Sequence, residues 1–102
     1  RQDRSVPQYP AVSRDLAFTL AISVPVADVE RTIRTAAPPL LTSVRLFDVY
    51  EGDKVEEGRR SLAWRLVFRA PDRTLTDPEV DEAVAVIVHQ LEEDLDVRIR
   101  AS

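Results

Sequence analysis

The chain has 102 residues, 44% of them hydrophobic, which fits one small domain with a single core and leaves no room for a second. It contains no Cys and a single His, His89, so disulfides and thiolate metal sites are excluded and a zinc cluster lacks its ligands. A formal net charge of -4 argues against a protein held to nucleic acid by its overall charge, and no apolar run approaches the roughly 20 residues that a membrane span needs.

Residues 1–8 are polar, contain Pro7 and show no signal-peptide pattern; they are expected to be the remnant of a linker, and residues 9–102 the domain of a soluble cytoplasmic protein. From Asp15 to Ser23 the apolar residues Leu16, Phe18, Leu20 and Ile22 alternate with Ala17, Thr19 and Ala21, the pattern of a half-buried strand whose second face is made of small side chains. Pro25 suits the first position of a helix, with Asp28 and Glu30 near its positive end, an apolar stripe of Val26, Val29, Ile33 and Ala37, and Pro38 and Pro39 as its stop. A second strand is expected from about Thr42 to Glu51. Period two within it places Phe47 and Val49 on one face, toward the core, and Asp48 and Tyr50 on the other.

A loop with both glycines of the chain, Gly52 and Gly58, leads to a third strand at about Arg60 to Ala70, where Leu62, Trp64, Leu66 and Phe68 form the core side. Thr76 and Glu79 make a capping box, in which the hydroxyl and the carboxylate satisfy each other's free backbone donors. The helix it starts carries Val80, Ala83, Val84, Ile87, Val88, Leu91 and Leu95 on one stripe. Val97 to Arg100 then alternates as a short last strand, with Val97 and Ile99 inward and Arg98 and Arg100 outward. The order βαββαβ predicts an α+β, ferredoxin-like fold: a four-stranded antiparallel sheet, first and third strands central, with both helices on one face.

Such a sheet leaves its other face uncovered, and the outward positions can be named: Ala17, Thr19, Ala21, Asp48, Tyr50, Ser61, Ala63, Arg65, Arg69, Arg98 and Arg100. A nucleobase can lie flat on Tyr50, with Asp48 accepting from a donor edge and Ser61 offering its hydroxyl. An edge strand with a solvated Asp and an amphipathic Tyr would give the same pattern. Charge is unevenly spread. Arg59, Arg60, Arg65, Arg69 and Arg73 face only Asp72 in their stretch, whereas Asp77 to Asp96 is rich in carboxylates and has no Lys or Arg. The hairpin therefore tolerates a polyanion that the second helix repels.

Four stretches in order resemble one family over nearly the whole chain. Tyr9-Pro10-Ala11-Val12-Ser13-Arg14-Asp15-Leu16-Ala17 is similar to its opening signature and Leu46-Phe47-Asp48-Val49-Tyr50 to its second-strand motif. Gly58-Arg59-Arg60-Ser61-Leu62-Ala63 resembles a Gly-Lys-Lys-Ser-Leu-Ala segment, and Arg73-Thr74-Leu75-Thr76-Asp77 the turn before its second helix. The family is the ferredoxin-fold anticodon-binding domain found at the C-terminus of the bacterial phenylalanyl-tRNA synthetase beta chain.

The resemblance implies recognition of phenylalanine tRNA, with the first anticodon guanine stacked on Tyr50 and contacted by Asp48 and Ser61. Ala63 and Arg65, on the same strand face, complete the expected RNA-binding set. Arg for Lys at Arg59 and Arg60 keeps the charge but alters contact geometry, while Arg14 and Asp15 are expected to hold structure or local backbone and stay outside the base site. The domain itself is expected to be non-catalytic and without a cofactor. ATP, magnesium and aminoacylation would belong to the remaining beta-chain domains and to a catalytic alpha chain, with neither DNA nor membrane as a partner. A ferredoxin-like module that uses its open sheet for protein assembly or a small ligand is the alternative from another class.

Overall fold

Three segments with an apolar side chain at every second position make strands that each need cover on one face. In the structure, a computed structural model that describes residues 9–36 and 39–100, two helices provide it. The elements follow the expected order: β1 (Val12–Ala21), α1 (Val26–Ala36), β2 (Leu41–Tyr50), β3 (Arg59–Phe68), α2 (Asp77–Leu95) and β4 (Arg98–Ile99). All pairings are antiparallel and the strand order is β2-β3-β1-β4, so β1 and β3 are central and the fold is ferredoxin-like. The expected linker at residues 1–8 lies outside the described residues, as do Ala37 and Pro38.

Leu16, Phe18 and Leu20 of β1 and Leu62, Trp64, Leu66 and Phe68 of β3 form the strand side of the core. Val29 and Ile33 of α1 and Val80, Ala83, Ile87 and Leu91 of α2 close over them. Each large side chain fully removed from water in this way stabilises the fold by about 1.5–3 kcal/mol. Spacings of three and four along both helices keep these positions on one stripe.

Ile22 and Ile99, expected in the core at the ends of the first and last strands, are not in it. Ile22 is 50% exposed, because β1 ends at Ala21 and the chain turns there, with the Ile22 N–H donating to the Gly58 carbonyl at 3.0 Å. Ile99 pairs with Phe18 but is 40% exposed, because β4 is an edge strand of two residues with no strand on its outer side among the described residues. Val97, just before it, is buried as expected.

The second helix begins as its sequence dictates. Thr76 is the N-cap in an extended conformation; its hydroxyl accepts from the Glu79 N–H at 3.3 Å, and the Glu79 carboxylate accepts from the Thr76 N–H at 3.0 Å. Arg73 donates to the same carboxylate, and this guanidinium first, then the Thr76 backbone, holds Glu79 below the usual carboxylate range. At the other end Asp96 takes the left-handed conformation, with φ 54°, that turns the chain into β4.

Replacing Thr76 with Ala is expected to lower the unfolding free energy by about 1 kcal/mol in denaturant titrations. The Glu79 contribution has a defined pH sense: a depressed folded-state value means it is complete above the unfolded carboxyl value of about 4.3 and fades as pH falls through the lower folded-state value. Glu79→Gln is accordingly expected to flatten the acid limb of stability against pH.

Candidate nucleic-acid interface

The ladder between β2 and β3 decides which side chains reach the bare face. Val44 and Leu46 lie opposite Leu66 and Trp64, while Asp48, Val49 and Tyr50 lie opposite Ala63, Leu62 and Ser61, with a register shift between Leu46 and Asp48. That shift is a β-bulge: one extra residue on β2 lets Leu46 point to the helices while Asp48 still points away from them. Phe47 is the extra residue. Instead of packing inward with Val49, as strict alternation predicts, it stands on the open face, 47% exposed, with the Arg65 guanidinium 4.9 Å from its ring centroid. Val49 lies opposite the buried Leu62 but remains 48% exposed on this outer strand. A signal was present: Val44, Leu46 and Val49 break the interval of two with an interval of three.

Cross-strand pairing then lines up rows of same-face neighbours. Tyr50, Ser61, Thr19 and Arg98 form one row across all four strands. Asp48, Ala63 and Ala17 form the next, and the Arg100 N–H donates to the Ala17 carbonyl at 3.0 Å to extend it. Asp48, Tyr50, Ser61, Ala63 and Arg65 thus all belong to the uncovered side. Tyr50 is 38% exposed, whereas Ser61 is 4% exposed and its Oγ accepts from Arg100 Nη1 at 3.1 Å. The alanines floor a shallow concavity of about 280 Å³, bounded by Phe47, Asp15, Ile99 and Arg100. A concavity of about 320 Å³ between the helices is lined by Arg31, Thr32, Thr35, Ala36, Gln90 and Asp94 and has no aromatic ring, so the open sheet is the better seat for a planar ligand.

Most arginines on or near this face already have partners. Arg65 grips Asp15 with two hydrogen bonds, 2.9 and 3.0 Å, and its guanidinium holds the Asp15 carboxyl below the usual range. Arg98 donates to Glu56 at 3.0 Å. Arg59 donates to the carbonyls of Thr19 and Asp96, tying β3 to β1 and to the end of α2, and Arg60 donates to the Val24 carbonyl at 2.8 Å. Arg14 joins β1 to α2 through Asp77 and Asp81 and Asp15 joins β1 to β3 through Arg65, so both residues hold the elements of the fold together. Arg100, on Ser61, has no carboxylate partner among the described residues. Strand alternation places Arg100 on the open face without giving it a contact; the hydroxyl it engages lies 39 positions away, beyond any local pattern.

An antiparallel sheet with helices on one side, and an aromatic ring beside a carboxylate on the other, defines a small binding module of ferredoxin-like fold. A family model, the ferredoxin-fold anticodon binding domain, matches residues 7–100, and the chain belongs to that family. It is 54% identical to the phenylalanine–tRNA ligase beta subunit of Synechococcus sp. (strain JA-3-3Ab) over 91% of this chain and 11% of that protein. Identity to the beta subunit of Moorella thermoacetica is 50% over 93% of this chain and 12% of the relative. With that of Symbiobacterium thermophilum it is 55% over 76% and 9%. The chain thus spans only about a tenth of the length of these curated relatives.

The bulge carries a direct test. Phe47→Ala is expected to reduce stability by less than about 1 kcal/mol in chemical denaturation, the range for surface changes, where a core phenylalanine would cost about 3–5 kcal/mol.

Proposed function

We propose that this domain binds the anticodon of phenylalanine tRNA on the bare face of its sheet, as part of a phenylalanyl-tRNA synthetase beta chain. The observation that carries the reading is the pairing of a solvent-accessible ring, Tyr50, with the Asp48 carboxylate two positions before it, on the one sheet face that no helix covers. Membership in an anticodon-binding family and the likeness to beta subunits support it.

The chemistry selects guanine. Stacking on Tyr50 is indifferent to base identity because every base has a π-face. Asp48 adds discrimination: guanine presents N1–H and N2–H donors side by side, which a carboxylate can accept together, whereas adenine offers no such pair. Ser61 complements this. Because its Oγ already accepts from Arg100, its own proton is free to be donated, and guanine O6 is an acceptor on the edge beside N1. Small side chains at Ala17 and Ala63 leave the floor flat enough for a ring to approach. Within this reading, ATP, magnesium and amino-acid transfer belong to other beta-chain domains and to the catalytic alpha chain, and the enzyme works in the cytoplasm with the rest of translation.

In the assembled enzyme, Tyr50→Ala is expected to raise KM for phenylalanine tRNA by about 5- to 150-fold, corresponding to one base stack of about 1–3 kcal/mol, with Tyr50→Phe within about twofold of the parent. Phenylalanine-dependent pyrophosphate exchange should be unchanged in both. Asp48→Ala should chiefly narrow the preference for guanine over other first anticodon bases, read as kcat/KM on substituted transcripts. Unchanged tRNA kinetics in Tyr50→Ala and Asp48→Ala alike would instead favour a sheet face used for protein assembly or a small ligand.

A further inference from the structure

We infer that Gly52 is a positioning residue for the Tyr50 platform: it is glycine because the ring end of Tyr50 lies where a side chain at 52 would be. A Cβ built on Gly52 would stand 2.7 Å from the Tyr50 hydroxyl oxygen, 2.9 Å from Cζ and 3.4 Å from Cε2. The first two distances are closer than real Cβ atoms approach their neighbours, so a methyl group at 52 must move either the ring or the backbone.

The backbone is the stiffer of the two. Gly52 opens a turn closed by the Val55 N–H donating to the Gly52 carbonyl at 3.0 Å, and Val55 anchors that turn by being 8% exposed. A second closure, from the Arg59 N–H to the Glu56 carbonyl at 3.0 Å, ties the loop to the start of β3. Tyr50, by contrast, is 38% exposed and can rotate into solvent. The ring is therefore what yields. A stacking surface that has rotated away from the Asp48 and Ser61 rows no longer holds a base in register with its hydrogen-bonding partners, so the loss falls on recognition and not on folding.

Two glycines of one loop thus serve different ends. Gly58 adopts φ +84° with open space around it, a conformational requirement. Gly52 is outside the left-handed region, so its backbone accepts alanine, and only the space is in dispute. Gly52→Ala is for that reason a clean probe of ring placement.

The inference rests on the anticodon-stacking reading, and the experiment separates the two. In the assembled alpha–beta enzyme, Gly52→Ala, Tyr50→Ala and the double variant are compared for KM and kcat with phenylalanine tRNA, for pyrophosphate exchange and for melting temperature. The expected result is a KM for tRNA raised about fivefold by Gly52→Ala, toward the lower end of a lost base stack. Pyrophosphate exchange and melting temperature should be unchanged, and Gly52→Ala should have no further effect once Tyr50 is Ala. If Tyr50→Ala raises KM but Gly52→Ala does not, or if Gly52→Ala acts equally with and without the ring, the positioning role is wrong while anticodon stacking stands. A lowered melting temperature in Gly52→Ala would equally overturn it, showing that the backbone gave way first. If Tyr50→Ala itself leaves KM unchanged, the stacking reading falls and the inference with it.

Discussion

Two helices close one face of a four-stranded sheet and, among the described residues, nothing closes the other, and the pairing of β2 with β3 determines what that second face presents. The bulge at Phe47 is the hinge of the arrangement. Without an extra residue, keeping Val44 and Leu46 toward the helices would turn Asp48 inward, leaving a carboxylate buried without a partner. With it, core packing on one side and a polar aromatic row on the other become compatible. The fold's stability and the surface proposed for recognition therefore come from the same ladder.

Charge reinforces the division. The carboxylates of α2 lie on a helix packed against the opposite face of the sheet, and on the open side Arg65 is held by Asp15 and Arg98 by Glu56. A polyanion approaching the bare face thus meets little of the net charge of -4, and also few cations without partners. Under the proposed function, affinity built this way would lean on stacking and hydrogen-bond geometry more than on phosphate neutralisation, as for a module that reads a base while other domains hold the backbone.

Local chemistry was legible in the residues, and long-range chemistry was not. The Thr76–Glu79 capping box, the α2 stripe from Val80 to Leu91 and the alternation through Phe18 and Trp64 each declare themselves within a few positions, and the element order follows from them. Tyr50, Asp48, Ser61, Ala63 and Arg65 could be assigned to one face because each follows from strand alternation near a well-marked strand. Phe47 escaped because a single extra residue reverses the phase, and the interval of three between Leu46 and Val49 was its only local trace. The partners of Arg65 and Arg100 escaped for another reason: Asp15 lies 50 positions away and Ser61 39, so only the sheet brings them together.

A structure of the assembled enzyme with phenylalanine tRNA, resolved at the level of side chains, bears most directly on the proposal that the bare face reads the anticodon. The expected view is the first anticodon guanine parallel to the Tyr50 ring at about 3.5–4 Å, with its N1 and N2 edge turned to Asp48. An anticodon loop seated against the helices, or a Tyr50 ring open to solvent while the tRNA is bound, would contradict it.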